Sequence, residues 1–207
     1  PMRWQLPEAE TYFAPHLTDE GFQVDHLKAA LTHCRNFRTA IDGGAHIGTW
    51  AAHMGRRFRL VLAFEPAEDT FECLARNLSG AVNVRPVRIA LGERAGMARL
   101  ADDVLRPGNT GARFLVAGDE VEVMAIDELD LADLDFLKLD IEGCELRALL
   151  GAERTLRACR PVVCIEEKKG FGVRFGLQDG AASAYLKGLG AREIERQRND
   201  RIFVWDH

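Results

Sequence analysis

The feature that most constrains this chain is the regular exchange of short apolar runs for helical patterns. The runs FRTAID (37–42), LVLAFE (60–65), VNVRPVRIAL (82–91), DFLKLD (135–140) and PVVCIE (161–166) are rich in β-branched and aromatic residues. The intervals TWAAHMGRR, AEDTFECLARNLS, GCELRALLGAERTLRAC and GAASAYLKGLG instead carry apolar residues at helical spacing. Near-continuous apolar strands separated by helices predict a mostly parallel sheet covered on both faces, an α/β fold. At 207 residues, 47% of them hydrophobic, the chain is long enough for one domain with a full core.

Two segments depart from the alternation. Residues 93–126 hold the strand-like pieces GMARLA, ARFLV and EVEVMAI around the turn-rich RPGNTGA, which predicts a β-excursion where a crossover helix would stand. At the C-terminal end AREIERQ and RIFVWDH flank RND, a hairpin pattern whose final strand runs antiparallel to the others. Residues 1–36, with helical periodicity in VDHLKAALTHC, are expected to form an N-terminal helical cap on a domain spanning 37–207. Within it Trp4, Tyr12 and Phe13 either restrict access to a pocket or anchor the added helix. Pro1-Met2 reads as a leftover of cloning and is set aside.

The net charge of −5 disfavours the polyelectrolyte attraction on which non-specific nucleic-acid binding depends. Five cysteines, odd in number and never in C-x-x-C spacing, indicate reduced thiols rather than a disulfide framework or a zinc site. No apolar run reaches the roughly 18–20 residues that span a bilayer, and no signal-peptide pattern opens the chain. A cytoplasmic location is the expectation, and no pattern specifies an oligomeric state.

The stretch TAIDGGAHIGTW places Asp42, Gly44, Ala45, His46 and Gly48 between the first strand and its helix. In parallel sheets this is where ligands sit, and glycine lets backbone approach them. Glu65 ends the second strand 23 positions after Asp42, where an acid accepts hydrogen bonds from both hydroxyls of a ribose. The loop has no G-x-G-x-x-G register, and His46 carries a Cβ inside the turn, so it is a poor pyrophosphate cradle. An adenosyl ligand without phosphate, S-adenosylmethionine, suits it better. His46 has a second reading as a plain hydrogen-bonding or capping residue of the loop.

With ALGERAG, FLKLDIEGCE and RPVVCIEEK, these stretches make residues 37–170 resemble FkbM-type S-adenosylmethionine-dependent methyltransferases. The resemblance implies a Rossmann-like class I methyltransferase fold of seven strands with the last antiparallel. It implies that Gly44, Ala45, His46 and Gly48 line the methionine and ribose side of the cofactor, and that Glu65, followed by Pro66, holds the ribose diol. Ala90 and Leu91 would flank the adenine, and Asp140 would face the methyl-transfer site or the cofactor's amino group. The commoner family form has asparagine at the place of His46. Acceptors in the family are hydroxyls of sugars, natural-product scaffolds or related small molecules.

Methyl transfer from a sulfonium mainly requires alignment, and a hydroxyl acceptor adds the need for a base. Asp140, Glu142 and Glu166 are the candidate catalytic residues, with His46 behind them, while Lys138 and Lys168 could polarise the acceptor or orient a carboxylate. Glu142 could instead cap the helix that follows, and Glu166 to Lys169 could be a solvated loop. Asp140 and Glu142 could also begin an oxygen-ligand site for a hard cation, so a divalent metal is possible but not indicated. Asn109-Thr110-Gly111 is either a lid contact or a turn. Two alternatives stand beside methyl transfer: a nicotinamide-dependent oxidoreductase and a non-catalytic adenosine-ligand module. A nucleic-acid methyltransferase ranks below both, because DIEG replaces the Pro-Pro-aromatic motif of amino-directed enzymes.

Overall fold

A computed structural model describes residues 3–206, so Pro1-Met2 and the final His207 lie outside the described residues. Seven strands form the main sheet: β1 (Thr39–Gly43), β2 (Leu60–Phe64), β3 (Val84–Val87), β7 (Phe136–Leu139), β8 (Val162–Glu166), β9 (Ala191–Gln197) and β10 (Asp200–Trp205). Their order is β3-β2-β1-β7-β8-β10-β9. All pairs from β3 to β8 are parallel, and β10 runs antiparallel to both its neighbours. The expected mostly parallel sheet with an antiparallel last strand is therefore present.

Strand residues alternate between two cores, which is why the runs read as continuously apolar. Ala40, Val61, Phe136 and Cys164 face α1 (Val24–Leu31), α2 (Thr49–Gly55) and α3 (Glu68–Asn77), through Leu27, Trp50, Met54 and Leu74. Ile41, Leu62, Leu137 and Val163 face α4 (Glu145–Leu150), α5 (Glu153–Cys159) and α6 (Ala181–Gly188), through Leu149, Leu156 and Leu186. In α1 the buried residues Val24, Leu27, Ala30 and Leu31 follow the helical period that the sequence shows. No helix among the described residues is long and apolar enough to cross a membrane.

Two expected elements are divided. The run 82–91 supplies β3 only as far as Val87, and then Ala90–Leu91 (β4) pairs with another sheet. Pro86 lacks a donor and is tolerated because β3 is the sheet's edge. The helix expected over 143–159 is two helices, because a Cβ at Gly151 would lie 2.1 Å from the Gly92 carbonyl oxygen, and the Gly151 carbonyl leaves the helix to accept from Asp127 N at 2.8 Å. The excursion is a second, three-stranded sheet in the order β4-β6-β5, formed by β5 (Gly96–Ala101) and the long β6 (Phe114–Met124), which unites two of the expected pieces.

Candidate functional site

At the carboxyl ends of β1 and β7, the neighbouring strands whose connections diverge to opposite sides of the sheet, the chain leaves a cavity of about 950 Å³. The glycine loop forms one wall. Gly44 has φ +73, and a Cβ there would stand 1.9 Å from the Asp140 carbonyl oxygen, so the loops after β1 and β7 meet backbone to backbone. Gly44 N and Ala45 N donate to the Phe64 carbonyl at 3.0 and 2.9 Å, tying the loop to β2 as well.

Beneath this loop Lys138, on β7, pairs with Asp42 at 3.0 Å and donates to the Gly44 carbonyl at 2.7 Å. Burial alone would lower the Lys138 ammonium, but the charges of Asp42 and Asp140 hold it well above the usual range. Asp42 is fully buried and does not line the cavity, and neither does Gly48. Asp42 supports the loop from below through Lys138, and Gly48, at the start of α2, packs closely against Leu74 and Leu78. Gly44, Ala45, His46, Glu65, Pro66, Ala90, Leu91, Asp140, Glu142 and Glu166 all line the cavity.

Glu65 sits 8% exposed on the wall, its Oε2 accepting from His46 N at 2.9 Å and its Oε1 from Ala67 N at 3.0 Å. Burial raises this carboxyl to about 7 against those two hydrogen bonds. Each oxygen keeps a lone pair for a further donor. His46 itself is left-handed, at φ 52, a conformation in which asparagine and histidine are both enriched among non-glycine residues.

The His46 ring faces the N-terminal segment. Its Nε2 lies 2.8 Å from Thr110 Oγ1, whose single proton goes to Glu10 Oε2 at 2.6 Å, so Nε2 is the protonated nitrogen. Burial lowers the imidazole to about 4, leaving it neutral. Glu10, itself buried, also accepts from Tyr12 N, Phe13 N and Thr110 N at 2.7, 2.8 and 2.9 Å. Burial would raise Glu10, yet these hydrogen bonds hold it below the usual carboxylate range. The chain Glu65, His46, Thr110, Glu10 thus fastens the N-terminal segment and the excursion across the cavity, with Tyr12, Phe13, Thr110 and Arg113 in its lining. Phe13 meets the His46 ring edge-on at 4.7 Å. Trp4 does not line the cavity; its Nε1 donates to the Thr18 carbonyl at 3.2 Å. Glu10 and Arg113 carry no motif that would mark them in the sequence, since their roles depend on partners 100 and 44 residues away.

The opposite end of the cavity is acidic. Asp140, Glu142 and Glu166 gather around Lys168, whose Nζ lies 2.5 Å from Glu166 Oε2, 2.6 Å from Glu142 Oε1 and 3.8 Å from Asp140 Oδ1. Burial works to raise all three acids. For Asp140 the Lys168 charge, a hydrogen bond from Glu166 and the Lys138 charge reverse this and hold it well below the usual range. Burial and the neighbouring Asp140 charge keep Glu166 raised, so this pair retains one proton, on Glu166. Burial and Asp140 also raise Glu142, with Lys168 opposing them. Glu142 does not cap α4. Glu145, the first residue of α4, ties down the turn before the helix, its Oε1 accepting from Ile141 N and Gly143 N at 3.0 and 3.2 Å. Glu142 turns instead to Lys168, and its second oxygen, Oε2, is buried without a hydrogen-bond partner.

The methyltransferase FkbM domain matches residues 42–193, most of the chain. The chain belongs to the FkbM methyltransferase family. It is 26% identical to Methyltransferase sdnD of Sordaria araneosa over 70% of either protein. With the Hexuronic acid methyltransferase AglP of Haloferax volcanii it shares 26% identity over 68% of this chain and 61% of that protein. Among solved structures, methyltransferase FkbM from Methylobacillus flagellatus aligns with a TM-score of 0.53 at 19% identity, over 82% of this chain and 44% of that one. A SAM dependent methyltransferase from Aquifex aeolicus aligns with a TM-score of 0.50 at 12% identity, over 95% and 94% of the two chains. The FkbM domain therefore carries a Rossmann-like methyltransferase fold, and the nicotinamide-dependent oxidoreductase alternative falls away. The chain spans less than half of the Methylobacillus protein and about three-fifths of AglP.

Proposed function

We propose that this chain methylates a hydroxyl group of a small-molecule or glycan acceptor, with S-adenosylmethionine as donor and Glu142 as the base. The observation that carries this reading is the buried, partnerless Oε2 of Glu142, a residue that lines the same cavity as the glycine loop and Glu65. A buried oxygen without a donor costs about 1–3 kcal/mol, and an acceptor's hydroxyl relieves that penalty. Asp140, held ionised well below neutrality, is too weak a base, and Glu166 already carries a proton.

The cavity fits the cofactor's chemistry: Gly44 lets the loop after β1 close onto the backbone after β7 where both line the cavity, and Glu65 presents two oxygens with spare lone pairs. S-adenosylmethionine supplies an activated methyl group when bound. Gly44, Ala45, His46, Glu65, Pro66, Ala90 and Leu91 would hold it, and Asp140 would face its cationic end. Glu142 takes the hydroxyl proton, Lys168 holds Glu142 in place, and the fastened N-terminal segment shields the centre from water.

Two loops at the cavity mouth narrow the acceptor further. Lys169 and Arg198 line the cavity with no ion-pair or hydrogen-bond partner among the described residues, whereas Lys138, Lys168, Arg106 and Arg113 in the same lining are all paired. Glu167 N donates to the Asn199 carbonyl at 2.9 Å, so the two loops are joined. Unpaired cations here favour an acceptor with an anionic group beside its hydroxyl. That a relative is named for a hexuronic acid accords with this reading.

Incubation with methyl-labelled S-adenosylmethionine and a panel of acidic and neutral hydroxyl compounds should yield labelled products, acidic ones foremost. Cofactor binding with no labelled product from any compound or cell extract would instead favour the non-catalytic module.

Two predictions arise at Glu65. Replacing it by alanine should weaken S-adenosylhomocysteine binding about 10–150-fold, the loss of about 1.5–3 kcal/mol of charge-assisted hydrogen bonding, as read by calorimetric titration. Unchanged affinity would remove the ribose assignment. Because burial raises Glu65 to about 7, its proton must leave before the carboxylate can receive both hydroxyls. Affinity should therefore rise between pH 6 and 8, by up to about tenfold per unit below the pKa, and Glu65→Gln should flatten the profile.

A further inference from the structure

Lys168 stands where three carboxylates from two neighbouring strand ends converge. Asp140 and Glu142 follow β7, and Glu166 ends β8. Each offers an oxygen within 4.8 Å of the other two. Oxygens so spaced can share one ion, since hard divalent cations bind carboxylates at about 2.0–2.6 Å. Lys168 Nζ already fills that position, at 2.5 and 2.6 Å from Glu166 and Glu142. Its contact with Asp140, at 3.8 Å, is too long for a hydrogen bond, so one of the three N–H donors remains for an acceptor's oxygen.

The ammonium is held rather than loosely tethered. Its side chain is 18% exposed and lies 5.5 Å from the Phe171 ring centroid, with Phe171 on the same loop after β8. No other cation reaches the cluster by an ion pair among the described residues, because Lys138 is taken by Asp42 and Gly44. The Oε2 of Glu142, a residue 6% exposed, is buried in the cluster without a hydrogen-bond partner.

We propose that Lys168 is a built-in cation that occupies the place of a divalent metal among Asp140, Glu142 and Glu166, positioning Glu142 for proton transfer, and that removing it uncovers a divalent-cation site. The positioning role rests on the methyl-transfer reading above; the latent cation site rests on the cluster's geometry alone. An ammonium and a dication cannot share this position, since like charges at such separation in a buried site repel strongly.

The test is calorimetric titration of MnCl2 into the protein saturated with S-adenosylhomocysteine, for wild type, Lys168→Met, Lys168→Arg and the double variant Lys168→Met/Glu166→Gln. Wild type and Lys168→Arg should show no saturable binding below about 1 mM. Lys168→Met should bind one Mn²⁺ with a Kd of about 10–100 µM, and the added Glu166→Gln should weaken that at least about tenfold. Should Lys168→Met lose its cooperative thermal transition, Lys168→Gln takes its place. Saturable binding by wild type that Glu166→Gln abolishes would overturn the proposal, because the site would then be a metal site in its own right. So would Lys168→Met and Lys168→Gln that bind Mn²⁺ no better than wild type. If none of the proteins binds S-adenosylhomocysteine, the cofactor reading fails, and the Mn²⁺ comparison is still read on the free proteins.

Discussion

Replacing Glu142 by glutamine is expected to lower methyl-transfer turnover about 10²–10⁴-fold, with S-adenosylhomocysteine affinity changed by less than about threefold. The amide matches the carboxylate in shape and can still accept from Lys168 through its oxygen, so the turn after β7, with residue 142 at φ 55, has no reason to rearrange. What is lost is the ability to take a proton. A hydroxyl attacking with its proton still attached develops positive charge on oxygen, and the nearest alternatives are poor recipients: Asp140 is too acidic and Glu166 is already protonated. Single-turnover measurement with labelled cofactor and the acceptor found in the panel separates this chemical step from binding. Wild-type turnover in the variant would mean that Glu142 is not the base, and that the acceptor either ionises unaided or gives its proton elsewhere.

The second large effect is expected at Gly44. Alanine there should destabilise the fold by about 3 kcal/mol or more and abolish cofactor binding. A left-handed conformation costs an L-residue about 1–2 kcal/mol. The added methyl would also stand 1.9 Å from the Asp140 carbonyl oxygen, forcing apart two backbone segments that neither loop can easily yield. Because those segments carry the glycine loop and the start of DIEG, both ends of the cavity are displaced together. Urea denaturation measures the first effect and calorimetry the second, with Gly80→Ala as control, since nothing lies within 4 Å of a Cβ at that position. Retention of full stability would show that the two loops are less tightly joined than their geometry indicates.

Particular elements show what can be read along the chain. The runs leading to β1, β2, β7 and β8 are legible because strands buried on both faces admit almost only apolar residues, and a local composition records that directly. The loop DGGAHIG and Glu65 are legible as cavity lining for a related reason: a tight strand-to-helix turn at the end of a parallel strand needs glycine, and the next strand end lies beside it. The C-terminal hairpin announces itself through its turn residues. By contrast, Gly151 looks like any helical glycine until Gly92, 59 positions earlier, is found against it. The run 82–91 looks like one strand because its division is set by two different partners, β2 on one side and β6 on the other.

The reaction centre divides in the same way. From its pattern the sequence alone determined the α/β fold, the glycine loop at the end of β1 and the acids at the ends of β7 and β8, because each depends on neighbouring residues or on a repeating period. Only the tertiary structure decided what those acids do. Glu145 rather than Glu142 ties down the turn before α4, Lys168 rather than solvent meets Glu142 and Glu166, and Asp42 supports the loop from below rather than lining the cavity. Glu10, 36 residues before His46, is brought against Thr110 to fasten the cavity's cover. Hydrogen bonds and ion pairs act over about 3 Å between side chains of any sequence separation, so their pairing exists only once the sheet has brought the strand ends together.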